Sequence, residues 1–251
     1  MITIKSAADI EKMDVAGRIV EETLNLMSTL VRPGVTTEEL DREAERFIRS
    51  RGAVPSFLNY SGYPKSICTS VNEQVVHGIP GSYKLKDGDI ISVDVGAYIN
   101  GFHGDAARTF LIGNVPDEVK ELVKVTKECF FEGIKFAKVG YRIGDIGHAI
   151  QSYAESHGYG VVRELIGHGI GREMHEEPDV PNYGRPGRGV RLEKGMCIAV
   201  EPMINLGTEK VWQLSDGWTI VTQDDKPSAH YENTLVITDG EPRLLTLHEE
   251  G

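Results

Sequence analysis

The chain is poor in cysteine and has no long apolar run, which argues against a secreted or membrane-spanning protein. Its three cysteines, Cys68, Cys129 and Cys197, lie far apart and form no Cys-X-X-Cys pair. Such usage is typical of reduced thiols in the cytosol rather than of disulfides or a thiolate metal site. No apolar run approaches the roughly 18 residues that a spanning helix needs, and no signal peptide is visible. These absences predict a cytoplasmic protein with no membrane association.

Positive charge is also scarce. The 251 residues include 27 Lys and Arg against 38 Asp and Glu, which gives a formal net charge of -11 and a pI of about 5.2. This balance predicts no direct affinity for nucleic acid or for anionic membranes. The apolar content, by contrast, is 40%, and a chain of this length and composition can bury a full core in one large domain or two small ones.

Apolar residues at helical spacing predict four helices, and short apolar runs between turn residues predict eight strands. The predicted helices run from a cap at Ser6 to Val31, from Thr36 or Thr37 to Gly52, from Pro116 toward Gly140, and from about Gly144 to His157. The predicted strands are Ser66–Val71, Val75–His77, Ile90–Tyr98, Phe102–Ile112, Val161–Ile166, Met196–Ile204, Trp218–Thr222 and Tyr231–Thr238. Because helices and strands are mixed and include hairpins, this order favours an α+β fold with a largely antiparallel sheet covered by helices on one face.

A faint internal repeat divides the chain into two parts. Three pairs of segments match in the same order, at offsets of 106, 91 and 107 residues: 34–52 with 140–158, 77–80 with 168–171, and 88–94 with 195–201. These matches predict two related half-folds about a pseudo-twofold axis. The chain would then be a single domain, residues 1–251, with halves of about 1–113 and 114–251. Asp94 and Glu201 would occupy equivalent strands, and His77 and His168 equivalent positions ahead of them.

The segment from Ser92 to Asp105 places two acids within predicted strands. Asn100-Gly101 lies between two apolar runs, and this dipeptide is a strong signal for a two-residue hairpin loop. That register pairs Ile99 with Phe102 and Asp94 with Ala107, so Asp94 and Asp105 would lie diagonally on one face, about 7–8 Å apart at Cα. Carboxylates at that distance can bind one metal ion or share a pair of ions. Taken alone, the pattern is explained more simply by a polar strand face that meets water.

Two further acids stand in apolar strands and strengthen the metal interpretation. Glu201 follows Ile198-Ala199-Val200, and Glu232 begins a run that continues to Ile237. A buried, unpaired carboxylate needs a cation, a hydrogen-bonding partner or a proton, and the one nearby candidate partner, Arg108, could instead form a structural salt bridge. Four acids and one histidine, without cysteine, suit two Mn(II), Fe(II), Co(II) or Zn(II) ions and suit a closed structural zinc site poorly.

The histidines are harder to assign from spacing. His168 and His175 are separated by seven residues, and the glycines between them favour a loop, so spacing alone gives neither a role. The repeat supports His168 through its partner His77. His230 has no such support, and the remaining candidates, His148 and His157, fall on a predicted helix surface.

Seven polar positions together resemble the methionine aminopeptidases of the pita-bread fold. They are His77, Asp94, Asp105, His168, His175, Glu201 and Glu232. Local motifs agree, including Val75-Val76-His77-Gly78-Ile79-Pro80 and His175-Glu176-Glu177-Pro178, and the similarity runs from about residue 3 to 245. Type II members carry a helical insertion between the two glutamates, whereas 31 residues separate them here. The chain therefore resembles type I in its compact bacterial form.

The resemblance implies a hydrolase that removes the N-terminal methionine from nascent proteins and peptides, preferably when the second residue is small. Asp94 would bind one divalent ion, Asp105 and Glu232 would bridge two, and His168 and Glu201 would complete the other. A hydroxide bridging the two ions would attack the first carbonyl. Glu201 would also move the proton.

The resemblance also implies roles for two histidines and an apolar pocket. His175 would stabilise the oxyanion, and His77 would contact the scissile amide. The methionine side chain would be held by Tyr60, Tyr63, Cys68, Met174 and Trp218, since a thioether fits aromatic and sulfur surfaces. Three residues depart from what is usual in bacterial relatives, with Met174 in place of phenylalanine and Ser61 and Asn233 in place of histidine.

Two other functions fit the same residues. An X-Pro aminopeptidase or prolidase shares the fold but usually carries an additional N-terminal domain, and a non-catalytic binding module usually loses ligands, whereas all five are present here. The ligand set admits Co, Mn, Fe(II) or Zn, so the physiological metal stays open. The family implies a monomer and leaves transient association with the ribosome open.

Overall fold

A computed structural model describes residues 1–248 and contains four α-helices in that range. They are α1 (Ala7–Leu30), α2 (Thr37–Ser50), α3 (Asp117–Ile134) and α4 (Ile143–Ser156). All four predicted helices are confirmed, with α3 ending earlier than its apolar pattern suggested. Ser6 and Thr36 each accept a hydrogen bond from the backbone N–H three residues on, and the acid there bonds back. These capping boxes fix where α1 and α2 begin.

Fifteen strands occur within the same residues. They are β1 (Val54–Pro55), β2 (Cys68–Val71), β3 (Gln74–Val76), β4 (Ile90–Ile99), β5 (Phe102–Leu111), β6 (Gly160–Val161), β7 (Gly167–Gly169), β8 (Glu176–Val180), β9 (Cys197–Val200), β10 (Met203–Asn205), β11 (Val211–Gln213), β12 (Ile220–Thr222), β13 (Ser228–His230), β14 (Glu232–Val236) and β15 (Arg243–Leu244). Every pairing between these strands is antiparallel, which confirms the predicted sheet type.

The main sheet has nine strands, and its order mirrors the sequence repeat. The path is β1-β4-β5-β14-β9-β7-β8, with β2 also paired to β4 and β15 to β14. The central pair β5 and β14 is thus flanked by β4 on one side and by β9 on the other. The strands that carry the segments 88–94 and 195–201 therefore take equivalent places, as the pseudo-twofold prediction requires. The exact division into halves at residue 113 stays a prediction.

The predicted hairpin register is confirmed. Ile99 pairs with Phe102, Ala97 with Gly104, and Asp94 with Ala107. Asn100 and Gly101 both have positive φ, 56° and 84°, as a two-residue turn of this type needs.

Two apolar cores lie against the sheet, one for each helix pair. The first joins α1 and α2 to one face of β4, and includes Val93 and Val95. The second joins α3 and α4 to β9, and includes Ile198 and Val200. Because side chains alternate along a strand, burying these valines and isoleucines turns the intervening residues to the opposite face. That face carries the acids.

Some predicted strands are wrong in extent. Of the predicted strand Val161–Ile166, only Val161 belongs to a strand, β6, in which it pairs with Ile204 of β10. Met196–Ile204 is two strands, β9 and β10, interrupted at Glu201-Pro202, where proline has no N–H to give to the ladder. The loop predicted between His168 and His175 is confirmed for residues 170–175, whereas His168 itself lies on β7 and pairs with Ala199.

Candidate metal centre

Three carboxylates converge because of the pairing around one small residue, Ala107. On β5, Ala107 lies opposite Asp94 of β4 on one side and opposite Glu232 of β14 on the other. Asp105 is two residues from Ala107 on the same strand, and therefore shares its face. The alanine leaves open space between the three acids. Residues far apart in the chain are thus brought to one point of the cleft face.

His168 and Glu201 reach the same point from the neighbouring strands. His168 pairs with Ala199, two residues before Glu201. Its Nε2 lies 3.6 Å from Glu201 Oε1 and 3.7 Å from Asp105 Oδ2. Its Nδ1 donates to the carbonyl oxygen of Gly169 at 2.8 Å, which leaves the Nε2 lone pair directed at the acids, as in a metal-ligating histidine.

The four acids lie together, with Asp105 and Glu232 buried and Asp94 and Glu201 partly buried, and among the described residues none of their carboxylates has a lysine or arginine partner. Asp105 is 3% exposed and Glu232 1%. Burial raises the pKa of Asp94, Asp105, Glu201 and Glu232, and the neighbouring carboxylates raise each of these pKa values further. Arg108 forms no ion pair with these carboxylates, because it donates to the backbone oxygen of Glu232 at 2.6 Å and to Asn233 Oδ1 at 2.7 Å.

This arrangement fits divalent metal ions. Asp94 Oδ1, Asp105 Oδ1 and Glu232 Oε1 are buried and have no hydrogen-bond partner, which is costly unless a cation takes their place. Two sets of three donor atoms lie within 4.8 Å of one another: Asp105, His168 and Glu232, and Asp94, His230 and Glu232. Carboxylate oxygens with imidazole nitrogens, and no thiolate, are a hard-to-borderline donor set.

His230 is the member of this group that spacing did not reveal. It is 1% exposed, and its Nε2 lies 3.4 Å from Glu232 Oε2 and 3.9 Å from Glu201 Oε2. The signal was present in the sequence, because residues two apart in an extended segment share a face. His230 is two residues before Glu232.

His175 and His77 line the cavity in front of the acids. The His175 ring lies 4.2 Å from that of His168, centroid to centroid, and its Nδ1 is 2.8 Å from the Tyr60 hydroxyl. Although His175 keeps an exposed surface, desolvation by the surrounding protein, followed by the neighbouring His168, lowers its pKa to about 3. Burial also lowers the pKa of His77 to about 4, and His77 takes a left-handed backbone conformation with φ 58°.

An apolar cavity of about 250 Å³ adjoins the acids, and all five residues of the predicted side-chain pocket line it. Tyr63, Cys68 and Met174 also form one buried cluster with Phe57, and Trp218 meets Tyr63 edge to face at a centroid distance of 5.1 Å. Phe57, Val76, Leu165, Ile166 and Met203 line the cavity as well.

The three atypical residues take different places. Met174 is 1% exposed and belongs to the cavity wall. Ser61 lines the cavity from a short 3₁₀ turn, at φ 50°. Asn233 points away, accepting from Arg108 and from the Thr246 hydroxyl.

The chain is similar to known metallopeptidases in both sequence and fold. A family model described as Metallopeptidase family M24 matches residues 11–239. A methionine aminopeptidase of Clostridium acetobutylicum is 58% identical over 250 residues, which are 99% of this chain and 100% of that protein. The chain belongs to the methionine aminopeptidases of metallopeptidase family M24. The crystal structure of methionine aminopeptidase from Rickettsia prowazekii matches with a TM-score of 0.97 at 45% identity, over 98% of this chain and all of the other. The pita-bread fold and the type I assignment are confirmed.

The X-Pro peptidases that share this fold are less similar to the chain in sequence and structure. The Xaa-Pro dipeptidase from Bacillus anthracis has a TM-score of 0.78 at 25% identity, and this chain covers 63% of that longer chain.

None of the helices in residues 1–248 combines the length and apolarity that crossing a bilayer requires.

Proposed function

We propose that the protein removes the N-terminal methionine from peptides and nascent proteins as a metal-dependent exopeptidase, and prefers substrates whose second residue is small. One observation carries this proposal. A buried cluster of four acids and His168, which fits divalent cations, opens directly into an apolar cavity lined by aromatic and sulfur-bearing side chains. The first feature suits hydrolysis, and the second suits an unbranched thioether side chain.

The residues would hold two ions. Asp94 would hold one of them, His168 and Glu201 would hold the other, and Asp105 and Glu232 would serve as ligands to both. When bound, such ions polarise a carbonyl oxygen and lower the pKa of a water molecule to about 7. Co, Mn, Fe(II) and Zn all suit these donors, and the supply in the cell decides among them.

The remaining polar residues act on the substrate. Glu201 accepts the proton of the attacking water and passes it toward the leaving amine. With the Tyr60 hydroxyl donating to Nδ1, His175 carries its proton on Nε2, and this N–H donates a hydrogen bond to the developing oxyanion. His77, across the cavity, contacts the scissile amide.

The cavity selects the first side chain. Tyr60 and Trp218 form its outer wall, while Tyr63, Cys68 and Met174 form its buried end. A methionine side chain buried there would contribute roughly 1.5–3 kcal/mol of binding free energy.

The proposed function implies a compartment and a small set of partners for the protein. The cytoplasm is the compartment in which such substrates arise, and the three buried cysteines are unpaired, as reduced thiols would be. We expect a monomer that meets nascent chains, with transient contact at the ribosome, and no direct affinity for nucleic acid at a net charge of -11.

The test is hydrolysis by metal-free protein reconstituted separately with Fe(II), Mn(II), Co(II) and Zn(II). Release of methionine from Met-Ala-Ser, much slower release from Met-Leu-Ser, and no cleavage of an Ala-Pro peptide are expected. Preference for Ala-Pro would indicate a prolidase-type enzyme instead. Absence of metal-dependent cleavage of every peptide would indicate a binding module.

A further inference from the structure

His230 is a buried histidine whose ring has no hydrogen-bond partner. Both Nδ1 and Nε2 are buried and unpartnered, although a buried imidazole normally has at least one partner. His230 lies in a paired strand rather than in a loop, because β13 pairs with β10 and places His230 opposite Met203. The Thr109 hydroxyl bonds both to the N–H and to the carbonyl of His230, each at 2.9 Å. The backbone is therefore fixed on both sides of an unpaired ring.

Two acids of the metal centre lie close to the ring. Nε2 lies 3.4 Å from Glu232 Oε2 and 3.9 Å from Glu201 Oε2, yet it forms a hydrogen bond with neither. Donor atoms of His230, Asp94 and Glu232 all lie within 4.8 Å of one another. Three such atoms can contact one ion at ordinary metal–ligand distances of about 2.0–2.2 Å. Asp94 Oδ1 and Glu232 Oε1 are unpartnered as well.

We propose that His230 is an additional metal ligand, which binds through Nε2 the ion held by Asp94 and Glu232. Each of the two ions then has one imidazole, His168 for one and His230 for the other. The inference rests on the dinuclear site of the proposed function. It changes the chemistry of the Asp94 ion, because an imidazole in place of a water or a further oxygen ligand shifts preference toward borderline ions such as Fe(II), Co(II) and Zn(II).

X-ray absorption on the protein loaded with two equivalents of Co(II) tests this directly. Wild type is expected to show two imidazoles for two ions, and His230→Gln half that imidazole signal. Calorimetry with Co(II) should show one of the two binding events weakened about 10–100-fold in the variant. His148→Gln, which changes an exposed histidine of α4, is the matched control and should leave both readouts unchanged.

The outcomes separate this inference from the proposed function. One imidazole for two ions in wild type, unchanged in His230→Gln, would overturn the ligand role while leaving a working dinuclear peptidase. No Co(II) binding by wild type would remove the proposed function and this inference together. If His230→Gln fails to fold, the imidazole count in wild type decides alone.

Discussion

The metal centre and the apolar pocket share one cavity but are built on different kinds of backbone. The acids and His168 lie on or directly beside paired strands of the main sheet. The pocket is formed largely by irregular segments, including a turn in which Asn59 and Ser61 have φ of 66° and 50°. Sites built on paired strands hold their side chains more precisely than sites built on loops and turns. We therefore expect changes in the centre to cost far more than changes in the pocket.

The largest effect is expected for Asp105→Asn. Losing a shared carboxylate should lower kcat/KM by about 10³-fold or more, because bound ions contribute several kcal/mol to transition-state stabilisation and about 1.4 kcal/mol is tenfold in rate. Peptide kinetics with metal analysis measures it. Asp179→Asn, an exposed acid on β8, is the control, and equal activity in Asp105→Asn would show that strand-borne acids are dispensable.

His175→Ala should lose about 10²–10³-fold in kcat while both ions stay bound, as expected for an oxyanion donor. His175 stands between the two regions, with its ring beside His168 and its Nδ1 beside Tyr60. Single-turnover kinetics and metal content measure the two properties separately. His157→Ala, which changes an exposed histidine directly after α4, should change neither, and wild-type turnover in His175→Ala would refute its role.

Trp218→Ala should raise KM by about tenfold with little loss of kcat, because it removes roughly 1–1.5 kcal/mol of apolar contact with the methionine side chain. The second tryptophan provides the control. Trp212 is 54% exposed and does not line the cavity, so Trp212→Ala should leave KM unchanged. Equal effects of the two substitutions would argue that the cavity is not the side-chain pocket.

Tyr60→Phe should have the smallest effect, about threefold in kcat. It keeps the aromatic wall and removes one hydrogen bond, to His175 Nδ1, of roughly 0.5–1 kcal/mol. The exposed Tyr141, changed to Phe, is the control. A fall as large as that of His175→Ala would mean that the turn fixes His175 as firmly as the strands fix the acids.

The same contrast explains what the sequence could predict. The Asn100-Gly101 turn predicted the register of β4 and β5 correctly. Acids within otherwise apolar strands were also recognisable, because a buried carboxylate needs a cation, a hydrogen-bonding partner or a proton. Long periodic helices were equally clear. Each of these signals is local, so a single stretch of sequence carries it.

What escaped prediction depends on contacts between distant segments. β7 and β13 have three residues each, too few to show alternation, and they are extended because they pair with β9 and β10. The strand at His168 was therefore not predicted, and His230 was given no role. The roles of the individual site residues, by contrast, came from the family resemblance and stay predictions.

Thermal unfolding of the metal-free protein, before and after addition of two equivalents of Mn(II), tests most directly whether the converging acids exist to bind cations. Ions that bind only the folded state raise its stability, and here they also relieve repulsion between buried carboxylates. A higher melting temperature in wild type, with a much smaller increase in Asp105→Asn, is the predicted result. An unchanged melting temperature in wild type would contradict the account.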